Sequence, residues 1–305
     1  ADAPAWSTTV VDRFVSTRAV IALAERAPNA LLVAPPSSEG GHPAGVPVLT
    51  PDADDRATLA ALCPPKTHLV DYAPYLSPPA RRRVLDALSD PSLADALPWV
   101  IVEGDGARMA VAPAPQAGRG ALTLVHAGRS LSSRAHATPF GHALVVLEDD
   151  GLTPDPSGNG ALAGALSREA QRLLDRAGLE LARALADALN GARKGPAMPD
   201  DEARHVPTLR FLLAALAAIK RAPEHQALGE AIARAPLVPV YDATDQVRRT
   251  SIDALVDRLG EGRGALPVLR QAPANVDGEG FEPIVLPSQD LVEARILSRP
   301  PGPGR

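Results

Sequence analysis

The stretch ALAGALSREAQRLLDRAGLELARALADALN, Ala161 to Asn190, decides the fold class. Within it Leu162, Leu166, Ala170, Leu173, Ala177, Leu181, Leu185 and Ala188 recur at helical spacing and share one face, while Arg168, Glu169, Arg172, Asp175, Arg176 and Arg183 fall on the other. Asn190-Gly191 supplies a stop signal. The spacing predicts one long amphipathic helix, and an apolar stripe of that length has to be laid against another layer. The preceding residues offer one. Trp99–Val102, Ala121–His126 and Ala143–Leu147 are short apolar runs, with a turn at Ala127-Gly128-Arg129-Ser130 and another at Glu148-Asp149-Asp150-Gly151. A small mixed sheet, partly antiparallel, carrying the long helix is therefore expected, which is an α/β (α+β) fold.

Working outward, Leu209, Leu212, Leu213, Leu216 and Ile219 predict a second amphipathic helix stopped by Pro223, and Glu224–Arg234 a third. Upstream, Thr67–Tyr72 reads as a strand and Ala80–Leu88 as a helix. Nearer the start, Val11, Phe14, Val15, Val20 and Leu23 suggest a helix, followed by the buried-strand pattern Ala30–Val33, a loop from Ser37 to Gly45, a Pro-marked strand at Val46–Leu49, and a helix capped by Thr50-Pro51-Asp52. A similar order of signals returns about 235 residues later, around Leu255-Val256, Ala265–Val268 and Pro283–Ser288. The expected organisation is an α/β module over 1–66, a central region over 67–205, a helical connector over 206–235, a second and duplicated module over 236–299, and a disordered tail over 300–305. The loops Ser37–Gly45 and Ala272–Gly280 are expected to be exposed partner surfaces.

Composition narrows the classes. Apolar residues make up 45% of the 305, yet aromatics only 3%, so the interior is built mainly from Ala, Leu and Val. A net charge of -5, with 31 basic and 36 acidic residues scattered along the chain, offers no basic stripe for nucleic acid. Cys63 stands alone, which excludes an internal disulfide or a Cys-based zinc cluster and fits a reducing compartment. No apolar run reaches the roughly 18 residues that span a bilayer, and Ala1-Asp2-Ala3-Pro4 does not open a secretory signal. The expectation is a cytoplasmic protein. Its start without Met fits a processed product or a piece of a longer parent chain.

Catalytic signatures are missing. The histidines follow no metal-ligand spacing, although His126, His136 and His142 would converge if their strands paired. Gly128-Arg129-Ser130-Leu131-Ser132 fails the G-x-S-x-G pattern, and neither phosphate-binding glycine motif occurs. No metal and no cofactor are expected. For an unfamiliar enzyme site, Asp149, Asp150, His126 and His142 are the residues to watch.

One stretch, about 121–189, carries a family resemblance. Strand Val145-Val146-Leu147, acidic turn Glu148-Asp149-Asp150 and the string Gly151-Leu152-Thr153-Pro154-Asp155-Pro156-Ser157-Gly158-Asn159-Gly160 ahead of the long helix resemble the middle region of Hsp90-type chaperones. There a loop of the type L-P-L-N-x-S-R-E leads into such a helix. In this register Leu152 and Ser157 match, Asp155 stands for the family's Asn, and Gly158 stands where the family has the arginine that reaches the terminal phosphate of ATP held by a preceding ATPase domain. The resemblance implies a degenerate loop at Asp155, Ser157 and Gly158, no intrinsic ATPase, protein partners or clients, and an ATPase domain upstream in a longer parent. A structural or scaffold module of a larger assembly is the competing expectation.

Overall fold

The computed structural model describes residues 4–10, 13–26, 29–42, 45–76, 85, 98–115, 119–157, 160–162, 166–191, 202–219, 222–241, 247–258, 268–269 and 284–285. The chain is α/β, with sheets of mixed topology. The expected helix Ala80–Leu88 (apart from Leu85), the loop Ala272–Gly280 and the tail 300–305 lie outside the described residues.

The first unit opens with a hairpin of β1 (Pro4–Ser7) and β2 (Phe14–Ser16), then α1 (Thr17–Ala24). The apolar residues Val11 to Leu23 were expected to be one helix, but β2 occupies part of that run. Phe14 is exposed while Val15 is buried, the alternation of a strand, and Ser16 starts the helix only afterwards by accepting the Ala19 N–H. Next come β3 (Ala30–Val33), β4 (Val48–Leu49), α2 (Ala53–Leu62, capped by Asp52), β5 (His68–Asp71) and the short α3 (Ala73–Leu76). Strand β3 pairs in parallel with both β4 and β5, with Leu32 opposite Val48 and Leu31 opposite Leu69. The boundary expected after Lys66 therefore moves: β5 completes the sheet of the first unit. One face of this sheet, with Leu31, Val33 and Leu49, packs on Trp6, Val15, Val20 and Leu59 of the unit itself. The other, with Leu32, Val48 and Val70, joins the central core.

That core lies between the central sheet and α4 (Arg168–Leu189). The sheet contains β6 (Val100–Glu103), β7 (Ala107–Pro113), β8 (Ala121–His126), β9 (Arg129–Ala135) and β10 (Ala143–Asp149) in the order β6-β7-β10-β8-β9, with β8 and β10 parallel and the other pairs antiparallel. Strands β7 and β9 were not expected. The first is rich in Ala and ends in Pro, and the second is a polar edge strand, so neither has the usual strand composition. Between β8 and β9 the backbone turns at Ala127 (φ 48°) and Gly128 (φ 75°), the left-handed pair of a two-residue hairpin.

Helix α4 begins at Arg168 rather than Ala161, because the Ser167 side chain caps it by accepting the Ala170 N–H. Its buried residues form a stripe two side chains wide, Leu173 with Leu174, Leu181 with Ala182 and Leu185 with Ala186. α5 (Glu202–Ile219) crosses the boundary expected after His205. With α6 (Gln226–Arg234) it contributes Leu209, Phe211, Leu212, Leu228 and Ile232 to the same core, so these helices are part of the central body and not a connector.

The last unit comprises β11 (Val238–Tyr241), β12 (Val247–Thr250), α7 (Ile252–Arg258), β13 (Val268–Leu269) and β14 (Ile284–Val285), in the order β12-β11-β14-β13. In the first unit, Thr8 bridges Leu49 in antiparallel sense, while Thr9 and Thr50 donate backbone bonds to Val48 and Ser7. These contacts extend the order there to β2-β1-β4-β3-β5. Both units thus have an antiparallel hairpin, a helix, and a parallel pair whose second strand runs antiparallel to the first strand of the hairpin.

Candidate functional site

Where the first unit meets the central sheet, four rings close on one another. His126 is the last residue of β8, Tyr72 directly follows β5, Tyr75 lies in α3 and His42 comes from the loop after β3. Tyr72 and His126 are fully buried, and His42 and Tyr75 nearly so. The His42 centroid is 5.0 Å from that of Tyr72 and 5.2 Å from that of His126, and Tyr75 stands 5.1 Å from Tyr72 and 5.5 Å from His126. The Tyr72 hydroxyl lies 2.6 Å from His126 Nε2, and His126 Nδ1 lies 3.4 Å from the Asp149 carbonyl. A carbonyl can only accept, so Nδ1 carries the proton and Nε2 accepts from the Tyr72 hydroxyl.

Burial sets the protonation states. It pushes the His42 imidazole down to about 4, with neighbouring His126 adding to the effect. His126 is also pushed down by burial, against opposing pulls from the Asp149 carbonyl and the Asp150 and Asp149 carboxylates. Tyr72 is held well above the ordinary phenol range by burial, Asp150 and Tyr75. Both imidazoles and the Tyr72 phenol are therefore neutral near pH 7. Arg129 covers the outer face of Tyr75, 5.9 Å from its centroid. The arrangement fixes a proton between two buried groups and joins two structural units. Tyr72→Phe leaves the His126 acceptor unpaired and is expected to cost about 1–3 kcal/mol in a urea titration; an unchanged midpoint would show that the bond contributes nothing.

The sequence singled out His126, but with the wrong neighbours. His136 and His142 sit at the far end of the strands, where the His136 N–H bonds Gly120 and the His142 carbonyl accepts from Ala114. Asp149 and Asp150 lie near His126 and His142 does not, so those four residues line no common cleft. His42, the imidazole that does approach, lies on a different unit, and its loop is otherwise mostly exposed as expected. A sequence signal was present in the tyrosines: of three in the chain, two stand at Tyr72 and Tyr75, just after a strand. Among the described residues no group of His, Cys, Asp or Glu could hold a metal ion.

The loop after β10 turns tightly. Asp155 Oδ1 accepts from the Ser157 N–H (3.0 Å) and hydroxyl (2.6 Å), and the Asp155 N–H bonds Gly160 (2.7 Å), next to a bridge between Pro154 and Ala161. Gly158 lies outside the described residues. This loop closes on itself and does not enter α4. At the start of α4 stands Ser167-Arg168-Glu169, with Ser167 as the cap and Arg168 exposed in the first turn.

In comparisons with known proteins, no family model and no curated protein matches the chain. No helix among the described residues is long and apolar enough to cross a membrane.

Proposed function

We propose that the chain is an Hsp90-like middle region that acts through protein–protein contacts in a chaperone-type role, without ATPase activity of its own. The observation that carries this reading is the tripeptide at the head of α4. In the register Leu162 to Glu169, the signature L-P-L-N-x-S-R-E is matched at Leu162, Ser167, Arg168 and Glu169, against Leu152 and Ser157 alone in the register that ends at Asn159. The first of these ends in the first turn of the helix. The arginine position is then Arg168, an exposed cation, and the family's Asn is replaced by Ala165. On this reading Asp155 and Ser157 belong to a turn ahead of the signature. Arg168 would serve a nucleotide held by a separate ATPase domain, and the protein would work in the cytoplasm on protein clients. The first and last units, sharing strand order and pairing, are read as copies of one module flanking this region.

Two assays test the proposal. The chain should slow the aggregation of a thermally unfolding reporter protein at stoichiometric ratio, and should release no phosphate from ATP above a buffer blank. Failure to protect any of several reporters would favour the scaffold reading. ATP turnover abolished by a point change in this chain would refute the absence of intrinsic ATPase.

A further inference from the structure

We propose that His42, Tyr72 and His126 form an acid-released latch that holds the first unit against the central sheet. The contact is built from two sides. The first unit supplies His42, Tyr72 and Tyr75 together with the apolar face Leu32, Val48 and Val70, and the sheet supplies His126 and the core beneath it. The imidazoles belong to different units with ring centroids 5.2 Å apart, so charging either one places a cation in a buried seam beside the other ring. Protonated His126 would also lose its Nε2 acceptor, leaving the Tyr72 hydroxyl proton to find another.

Among the described residues, Arg13 lines one pocket with His42. From β9 comes Arg129, over Tyr75; from the end of β10 and the following loop come Asp149 and Asp150, which act on His126, and Asp155, which acts on Tyr75. The acidic groups near His126 ease its protonation, so His42 is the stronger sensor. With the docked pKa near 4 and the ordinary value 6.5, the latch is fully engaged above the ordinary value and weakens as pH falls through that window. Burial raises the Asp149 carboxyl, which works in the opposite direction and favours the docked state in acid.

Hydrogen exchange on the intact chain, corrected for intrinsic rates, reads the latch directly. Between pH 7 and pH 5 the opening equilibrium of amides in β3 and β5 should rise roughly twentyfold from His42 alone, while amides in β10 lag behind. In His42→Gln the rise should shrink to a few-fold, and in the double variant with His126→Gln it should vanish or reverse through Asp149. An equal rise in β3, β5 and β10, or a full rise that persists in both variants, would overturn the proposal. Should the variants not fold, imidazole NMR on the unaltered protein decides: His42 still neutral at pH 5 supports the latch, and His42 titrating at its ordinary value refutes it.

Discussion

Leu173→Asp is expected to lower the stability of the chain by about 4 kcal/mol or more, enough to unfold a domain of ordinary stability. Leu173 is 1% exposed and packs its methyl groups over Gly104, where a Cβ would come within 2.9 Å of Leu173 Cδ2. A carboxylate at that position would be buried between α4 and the hairpin joining β6 to β7. Glu169, one turn earlier, has a carboxylate that reaches the same glycine and would repel it. Arg176 cannot readily compensate, as its guanidinium donates to the Glu103 carbonyl at the surface. The control is Arg172→Asp on the same helix: the Arg172 side chain is 79% exposed, and its replacement should cost less than about 1 kcal/mol. Urea denaturation of the two variants checks both. A small loss for Leu173→Asp would mean that α4 does not pack by this face.

How legible the fold was depends on how local its causes are. Helix α4 could be read because its pattern repeats over many turns: Ala170, Leu173, Ala177, Leu181 and Leu185, which the spacing selected, are buried, while Leu174, Gly178, Ala182 and Ala186 beside them widen the buried stripe beyond that selection. Its start was misplaced because Leu162 and Leu166 continue the spacing, whereas the hydrogen bond from Ala170 to Ser167 sets the true beginning. Strand β7 escaped notice since Ala110 and Ala112 gain their place from pairing with Val146 and Leu144, a distant segment. Strand β5 was assigned to the wrong unit for the same reason, as its partner is β3.

The candidate site was legible only in fragments. His126 was noticed, but the ring cluster depends on a contact between residues 42, 72 and 126 that no local pattern encodes. The Ser-Arg-Glu tripeptide on which the proposed register rests stands in the sequence, and the turn through Asp155 and Gly160 separates it from the acidic pair Asp149-Asp150. At the two ends Leu32 faces Val48 and Val268 faces Ile284, at the same separation along the chain, a likeness that no single residue pattern announces.

Gly178→Val should be the other severe substitution, with an expected loss of about 3 kcal/mol. Helix propensity argues the opposite way, since replacing a glycine inside a helix ordinarily helps by up to about 1 kcal/mol. Contact decides the sign. A Cβ at Gly178 would lie 2.2 Å from Phe140 Cε2 and 2.3 Å from Cδ2, distances that no packing tolerates. Phe140 cannot withdraw easily, because its ring stacks on Phe211 of α5 with centroids 6.0 Å apart. Its turn is also fixed: the Thr138 hydroxyl donates to the Gly141 carbonyl and accepts the Phe140 N–H, while Gly141 abuts Ala214. The ring is thus wedged between α4 and α5, and glycine is the residue that leaves room for it. Gly178→Ala should lose less than the valine variant, and shortening the wedge in Gly178→Ala with Phe140→Leu should recover part of that loss, a coupling that a double-mutant cycle in urea would measure. If Gly178→Ala instead stabilises the chain, the helix and the wedge do not meet as described.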